Sequence, residues 1–353
     1  MKKRKKTRQI CVGPVKIGGN APISVQSMTK TDTRDVRATR AQINRLVAAG
    51  CEIVRVAVPD ERAAAALPQL VRSSAIPVIA DIHFHQRLAL QAIAAGVAGL
   101  RINPGNIGGL QKLSAIVQRA REKDISIRIG VNSGSLEKDL RKKYGSPTPD
   151  ALVESALRNI ELFERLSFRD IKISIKSPDV RSTVAAYRLL SRKTSYPLHI
   201  GVTEAGTAFS GTIKSAVGLG ILLAEGIGDT LRVSLTADPV EEVRVGFEIL
   251  KALGLRQRGP EIISCPTCGR CQIDVAAIAH DIEARLAAEK LPLKIAVMGC
   301  EVNGPGEARE ADIGIAGSSS RGVLFKKGVI IKKCRSSELL KDFYREIAPL
   351  LKK

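Results

Sequence analysis

Tryptophan is absent from the sequence, and aromatic residues make up only 3% of its 353 positions. Surfaces that stack single-stranded nucleic acid rely on aromatic side chains, so that class of function is disfavoured at the outset. Long apolar runs are missing too. The longest, around SAVGLGILLAEGIG, is interrupted by Glu225. It falls short of the roughly 20 residues that cross a bilayer, so no membrane partner is expected. The opening MKKRKKTRQI has the charge of a signal-peptide n-region, but Pro14, Lys16 and glycines break the stretch that follows, and no apolar h-region forms. Cysteines number seven, an odd count with mostly unpaired spacing. That fits a reducing, cytoplasmic setting in which thiols serve metals better than disulfides.

Acidic side chains are the other shortage: 35 Asp and Glu stand against 56 Lys and Arg, a net charge of +21. Lys2, Lys3, Arg4, Lys5, Lys6 and Arg8 carry part of the excess. They read as a solubilising, disordered tail, with docking of an acidic redox partner as the alternative. The rest of the chain is basic as well. Such a field attracts nucleic acid, anionic substrates or an acidic partner and does not choose among them.

What is present is a soluble globular composition, 44% apolar and 26% charged, in a chain long enough for two unequal domains. Eight short β-branched segments recur: PISVQS (22–27), EIVRVAV (52–58), IPVIADI (76–82), GLRINPG (99–105), ISIRIGV (125–131), DIKISIK (170–176), PLHIGVT (197–203) and TLRVSLT (230–236). Amphipathic helical segments lie between them, among them 36–48, 61–73, 110–122, 150–165 and 239–252. Eight β-then-α units in about 250 residues predict a (β/α)8 TIM barrel over residues 1–258. No G-x-G-x-x-G follows the first strand, which weakens the rival doubly wound dinucleotide fold.

The C-terminal strand ends of a TIM barrel carry its active site. Here they are charged for strands that should be buried: Arg55, Asp81 with His83, Arg101 with Asn103, Arg128 with Asn132, Lys172, Lys176, Glu204, and Arg232 with Ser234. An unpaired buried charge costs several kcal/mol. Too few carboxylates stand nearby to pair every cation, so the mouth reads as a cradle for a polyanion. A single strand-end cation can equally be a snorkelling or salt-bridged side chain. Placement at strand ends rather than along one helix argues against nucleic acid. Asp81 and Glu204 are left to orient hydroxyls or deliver a proton, although Asp81 can instead be a structural partner of Arg101. His83, His85 and His199 fit no metal spacing, and His85 reads as a hydrogen-bonding or core residue.

Glycines and Pro260 in KALGLRQRGPEII mark a boundary, after which residues 259–353 form a small α/β domain. Its expected elements are a helix over 273–289, a strand LKIAVMGC, a strand ADIGIAG, a hairpin GVLFKKGVIIKK and a final helix over 336–350. SCPTCGRC places Cys265, Cys268 and Cys271 three residues apart, and Cys300 follows on a Gly/Pro-rich turn. This spacing is compatible with a [4Fe-4S] cluster on four thiolates, with structural zinc, or with uncoordinated thiols. His280 reads as exposed in mid-helix. Cys11, Cys51 and Cys334 read as ordinary buried or free thiols.

The segments PISVQSMTKTDTRD, VRVAVPD, IADIHF, LRINPGNIG, RIGVNSGSLEKDLRKKYG, GVTEAG, SCPTCGRCQIDV and VMGCEVNGPGEAREADIGIAG span nearly the whole chain. With them it resembles the 4-hydroxy-3-methylbut-2-en-1-yl diphosphate synthase family of the methylerythritol phosphate route to isoprenoids. The resemblance implies an oxidoreductase that opens and dehydrates 2-C-methyl-D-erythritol 2,4-cyclodiphosphate. Electrons would come singly from flavodoxin or ferredoxin through one [4Fe-4S] cluster per chain. It implies that Arg55, Arg101, Arg128 and Lys176 grip phosphate oxygens with help from Ser234. Asp81, Asn132 and Glu204 would face the carbon skeleton, Glu204 as proton source or electrostatic partner, with His83 beside them. The same resemblance assigns the cluster to Cys265, Cys268, Cys300 and Glu307, the carboxylate being the ligand that yields most readily, and leaves Cys271 as a bystander. It implies a head-to-tail homodimer, each cluster domain closing over the partner's barrel. The alternative is a non-redox phosphate-binding barrel of aldolase or pterin-synthase type with a structural zinc appendage.

Overall fold

The computed structural model describes residues 1–287, 289–300, 306 and 308–351. The chain divides into two compact units, Met1–Arg256 and Gln257–Lys353. Among the described residues no helix is long and apolar enough to cross a membrane.

The first unit opens with an antiparallel hairpin, β1 (Ile10–Val12) and β2 (Val15–Ile17), turned at Gly13 with φ +55°. Eight parallel strands follow: β3 (Ser24–Met28), β4 (Ile53–Ala57), β5 (Val78–Asp81), β6 (Gly99–Ile102), β7 (Ser126–Asn132), β8 (Ile171–Lys176), β9 (His199–Ile200) and β10 (Thr230–Leu231). Their order is β8-β7-β6-β5-β4-β3-β10-β9. A bridge between Ile173 and Leu198, with Ile173 N–H donating to Pro197 O at 3.0 Å, joins β8 to β9 and closes the barrel. Closure leaves no strand edge exposed. Six of the eight strands fall inside the β-branched segments that predict them, and β3 and β7 run one residue past theirs, to Met28 and Asn132, so the fold is a TIM barrel.

The helices of this unit are α1 (Val36–Ala49), α2 (Glu61–Ser73), α3 (Gln86–Ala94), α4 (Pro104–Ile107), α5 (Leu110–Glu122), α6 (Lys138–Tyr144), α7 (Pro149–Arg165), α8 (Val180–Lys193), α9 (Ala208–Ala224) and α10 (Pro239–Ala252). Side chains cap the starts of several: Asp35 accepts from Ala38 N–H, Asp60 from Ala63, Thr148 from Ala151 and Asp179 from Ser182. Each such cap satisfies a backbone donor the helix cannot, worth about 1 kcal/mol. Helical spacing buries Leu113, Ile116, Val117 and Ala120 of α5 in the main core, at roughly 1.5–3 kcal/mol for each large side chain.

Two features depart from expectation. The β1–β2 hairpin packs Ile10, Val12 and Ile17 against Ile53 and Ile79 as a separate apolar cluster. The basic tail before it is ordered rather than disordered: Lys2, Lys5 and Arg8 N–H groups donate to Ala224, Gly226 and Ser195 carbonyls. Arg4 Nη2 pairs with buried Asp229 at 2.6 Å, and Thr7 Oγ1 donates to the same oxygen at 2.9 Å. Charge density suggested disorder, but a buried carboxylate and free helix-end carbonyls give the cations partners.

The second unit holds a five-stranded sheet: β11 (Glu261–Ser264), β12 (Lys294–Met298), β13 (Ile313–Gly317), β14 (Arg321–Lys326) and β15 (Val329–Arg335). The first three pair parallel and the last two antiparallel. Lys327 and Gly328, both at positive φ, make the two-residue turn between β14 and β15. Helices α11 (Val275–Leu286) and α12 (Leu339–Ile347) bury Val275, Ile282, Leu339 and Phe343 with Ile295, Val297, Ile313 and Ile315. The strand β11, with a partly exposed edge, is the element the sequence pattern did not announce.

Candidate active site

Paired residues on parallel strands share a face of the sheet. The pairs Asp81 with Arg101, Arg101 with Arg128, Arg128 with Lys172, and Asn132 with Lys176 therefore bring their side chains to the inner face of the barrel. Arg55, Arg101, Arg128, Lys172 and Lys176 are each no more than 8% exposed. Gly130 and Gly201 make the room. A Cβ at Gly130 would sit 2.6 Å from Arg101 Nε, and one at Gly201 would sit 2.6 Å from Lys176 Nζ and 2.5 Å from Arg232 O.

Asp81, also buried, is the carboxylate shared by this group. Arg101 Nη1 donates to its Oδ1 at 3.1 Å, and Arg55 Nε lies 3.4 Å from its Oδ2. Burial by itself would raise the Asp81 carboxyl, but the charges of Arg55 and Arg101, with the His83 contact, outweigh it and hold the group below the ordinary carboxylate range. Of the roles expected of Asp81, the pairing with Arg101 is the one these contacts show, with the carboxyl held ionised. His83 stands at the rim, its side chain 53% exposed, with Nε2 3.2 Å from Arg101 Nη1 and 3.7 Å from Asp81 Oδ1.

One carboxylate does not satisfy the cations. Arg55 turns two nitrogens to Met28 Sδ, at 3.1 and 2.9 Å, and a thioether is a weak acceptor. Arg101 Nε, Arg128 Nε and Nη1, Lys172 Nζ and Arg232 Nε are buried without a hydrogen-bond partner among the described residues. Burial, aided by the neighbouring guanidinium groups, pushes Arg128 and Lys176 well below their ordinary values. Burial likewise lowers Arg55 to about 10, although Asp81 pulls the other way.

Glu242 of α10 is a functional neighbour that sequence reasoning missed. It is 1% exposed, accepts from Ser27 Oγ at 3.0 Å and Leu235 N–H at 3.1 Å, and pairs with Lys30 at 3.1 Å and Arg232 at 3.5 Å. Helical patterning marks it only as a first-turn acid. Ser234, beyond β10, and Asn132, the last residue of β7, are half-buried. With its amide turned, Asn132 accepts from Arg101 Nη2 at 3.1 Å. Glu204 is exposed, between β9 and α9, with φ +52°. For a residue with a Cβ that conformation is costly and accompanies functional positions. His85 is exposed at the start of α3 and makes no side-chain cap, against the hydrogen-bonding or core role expected of it. His280 is exposed as expected.

In the second unit, β11 and β12 pair with Ser264 opposite Val297, so Cys265 lies beside the end of β12 and Cys300 just beyond it. Cys265 N–H donates to Val297 O at 3.1 Å, and Gly299 N–H donates to Cys265 Sγ at 3.2 Å. Cys268 is exposed, and none of the seven cysteines is in a disulfide. Cys271 Sγ instead donates to Ile273 O at 3.2 Å and lies 2.4 Å from where a Cβ on Gly299 would be. Among the described residues no three His, Cys, Asp or Glu converge as a metal site. Glu307 lies outside the described residues. The chemistry of the donor set, free thiols at adjacent strand ends with an amide on one sulfur, fits an iron-sulfur group.

A barrel lined by underpaired cations, followed by a unit with free thiols, defines a two-domain TIM-barrel protein. The chain belongs to the GcpE family: the GcpE TIM-barrel domain matches residues 7–247 and the GcpE protein C-terminal domain residues 261–349. It is 62% identical to a Geobacter sulfurreducens protein over 98% of both chains, and 61% identical to one from Lawsonia intracellularis over 97% of this chain and 96% of that one. Both relatives are named 4-hydroxy-3-methylbut-2-en-1-yl diphosphate synthase (flavodoxin). A Yersinia pestis dihydropteroate synthase structure is similar at 12% identity and a TM-score of 0.49, covering 70% of this chain and 98% of that one.

Proposed function

We propose that the chain is the oxidoreductase its relatives are named for, opening 2-C-methyl-D-erythritol 2,4-cyclodiphosphate with loss of water to give 4-hydroxy-3-methylbut-2-enyl diphosphate. The observation that carries this is the inner face of the barrel, where buried Arg55, Arg101 and Arg128 lie about one carboxylate, Asp81, that is already shared, and Lys176 is buried beside these guanidinium groups. A diphosphate supplies the missing anionic oxygens. Arg55, Arg101, Arg128 and Lys176 hold those oxygens, and Ser234 adds a hydroxyl from beyond β10. Asp81, kept ionised by its guanidinium neighbours, accepts from a substrate hydroxyl and orients the carbon skeleton with Asn132. His83 holds the rim beside them. Glu204, on its strained loop, delivers the proton that lets the hydroxyl leave as water.

Cys265, Cys268, Cys300 and Glu307 would hold a [4Fe-4S] cluster, which supplies single-electron transfer from flavodoxin or ferredoxin. The free thiols support this, and they also support a cytoplasmic placement. The decisive experiment is anaerobic reconstitution with iron and sulfide, followed by assay of the cyclodiphosphate with a low-potential reductant. No turnover by a fully loaded chain defeats the proposal. A colourless protein with stoichiometric zinc would instead favour the non-redox alternative.

The proposal extends to a homodimer in which the cluster domain of one chain serves the partner's barrel. Mixing Glu204→Ala chains with Cys300→Ser chains then restores activity in the mixed dimers, and no recovery removes this part of the proposal.

A further inference from the structure

Beneath the cations assigned to phosphate lies a polar layer that the reaction as described does not use. Lys172 of β8 is 1% exposed and His199 of β9 is fully buried. Lys172 Nζ and both ring nitrogens of His199 have no hydrogen-bond partner among the described residues. Gln26 and Ser24 of β3, Ser126 of β7 and Thr230 of β10 also have buried polar side-chain atoms without one. Register places Ser24 beside Thr230, and Thr230 beside His199, so the layer runs around the inside of the barrel.

The charged and titratable groups facing this layer are nearly all of one sign. Arg128 on β7 is the register partner of Lys172, with Lys176 above it on β8, Arg55 on β4, Arg101 on β6 and Arg232 just after β10. Tyr187 of α8 turns its hydroxyl to His199 O, donating at 2.6 Å. Asp81 is held by Arg55 and Arg101. Asp229, before β10, is taken by Arg4, Thr7 and the Leu198 N–H. A lysine buried among cations with no acid of its own sheds its proton rather than bear the cost of an isolated charge.

We propose that Lys172 is a positioning residue whose charge follows the occupancy of the cradle above it: neutral when the cradle is empty, it takes up a proton from solvent as a diphosphate enters. His199, walled in by the same cations, stays neutral and offers one ring nitrogen to the new ammonium group. Entry of the anion reverses the local potential, so the proton is bound in the same step that binds substrate. The inference rests on the diphosphate assignment for the ligand but not on the redox chemistry. Burial, with Arg128 second, lowers Lys172 to about 7, which places the change in the working pH range.

The test is calorimetry of cyclodiphosphate binding to the anaerobic holoenzyme in buffers of different ionisation enthalpy, which counts protons taken up. The sign follows from a free-state value near 7 that the anion raises. Uptake assigned to Lys172 is small at about pH 6, where the group is already charged, and approaches about one proton near pH 8.5. Lys172→Met loses that share at pH 8.5, and Lys172→Arg, permanently charged, loses it too. Full wild-type uptake in both variants overturns the proposal. A second measurement needs neither ligand nor variant stability: the lysine Nζ resonances of the 15N-labelled free enzyme. A lysine titrating near pH 7 is expected, and its absence overturns the proposal whatever the substrate proves to be. Failure of the cyclodiphosphate to bind would count against the functional assignment instead, and inorganic pyrophosphate then serves as the anion for the proton count.

Discussion

At the scale of single residues, the cysteines separate by what each sulfur touches. Cys271 spends its thiol on Ile273 O and on packing against Gly299, whereas Cys268 is exposed. Cys271→Ser is therefore expected to retain iron and sulfide and to cost no more than about 1–2 kcal/mol from altered packing. Cys268→Ser is expected to lose the visible absorbance and the bound iron. Equal iron content in the two variants contradicts the assignment. The equal spacing in SCPTCGRC hides this difference, because spacing does not reveal which thiol the sheet has already engaged. The barrel cations were legible for the opposite reason: an Arg or Lys at the end of a β-branched run is conspicuous against the apolar pattern. Glu242 was not, since an acid in a first turn reads as an ordinary partner of the helix dipole, and only tertiary packing turns it toward Ser27, Lys30 and Arg232.

At the scale of elements, period and caps sufficed for the eight barrel strands and for α1, α2, α5, α7 and α10, because each carries its own hydrophobic face. Strand β11 and the β1–β2 hairpin are three or four residues long and draw stability from what they cover, so no local pattern announces them. The tail before β1 illustrates the same limit. Its charges look solvated in the sequence, yet Arg4 and Thr7 satisfy the buried Asp229 carboxylate. Lys5 Nζ reaches the carbonyls of Ser191 and Thr194 near the end of α8, where a cation also complements the helix dipole. Deleting residues 2–8 leaves Asp229 with only the Leu198 N–H among these partners. A loss of about 1–3 kcal/mol and a lower Tm are expected, with the apparent affinity for the reductant unchanged. An unchanged Tm with weakened reductant affinity would return the tail to a docking role.

At the scale of the whole molecule, stability and ligand affinity oppose each other in the barrel. Folding gathers Arg55, Arg101 and Arg128 about Asp81 and buries Lys176 beside them, so the empty barrel bears a repulsion that an anion relieves. A pH titration of stability separates the two signs. Asp81 is held below its ordinary value, so its contribution is present above the unfolded carboxylate pKa and fades as pH falls through the folded one. Lys172 works the other way. Its folded value is about 7, and the unfolded chain titrates near the ordinary lysine value of about 10.4. Between those limits the unfolded state binds the extra proton, so stability rises with pH by up to about 1.4 kcal/mol per unit from this one group. Below about pH 7 its cost is present in full. Lys176, pushed down by the same burial, adds to the slope in the same sense. Urea unfolding of the substrate-free holoenzyme at several pH values between 7 and 10 should show the rise, and Lys172→Met should reduce its slope without abolishing it. Saturating cyclodiphosphate, by restoring the lysine's charge in the folded state, should flatten the wild-type curve toward that of the variant. A slope that neither the substitution nor the ligand changes would mean that the barrel cations are compensated by the protein itself, and the anion would then have no deficit to fill.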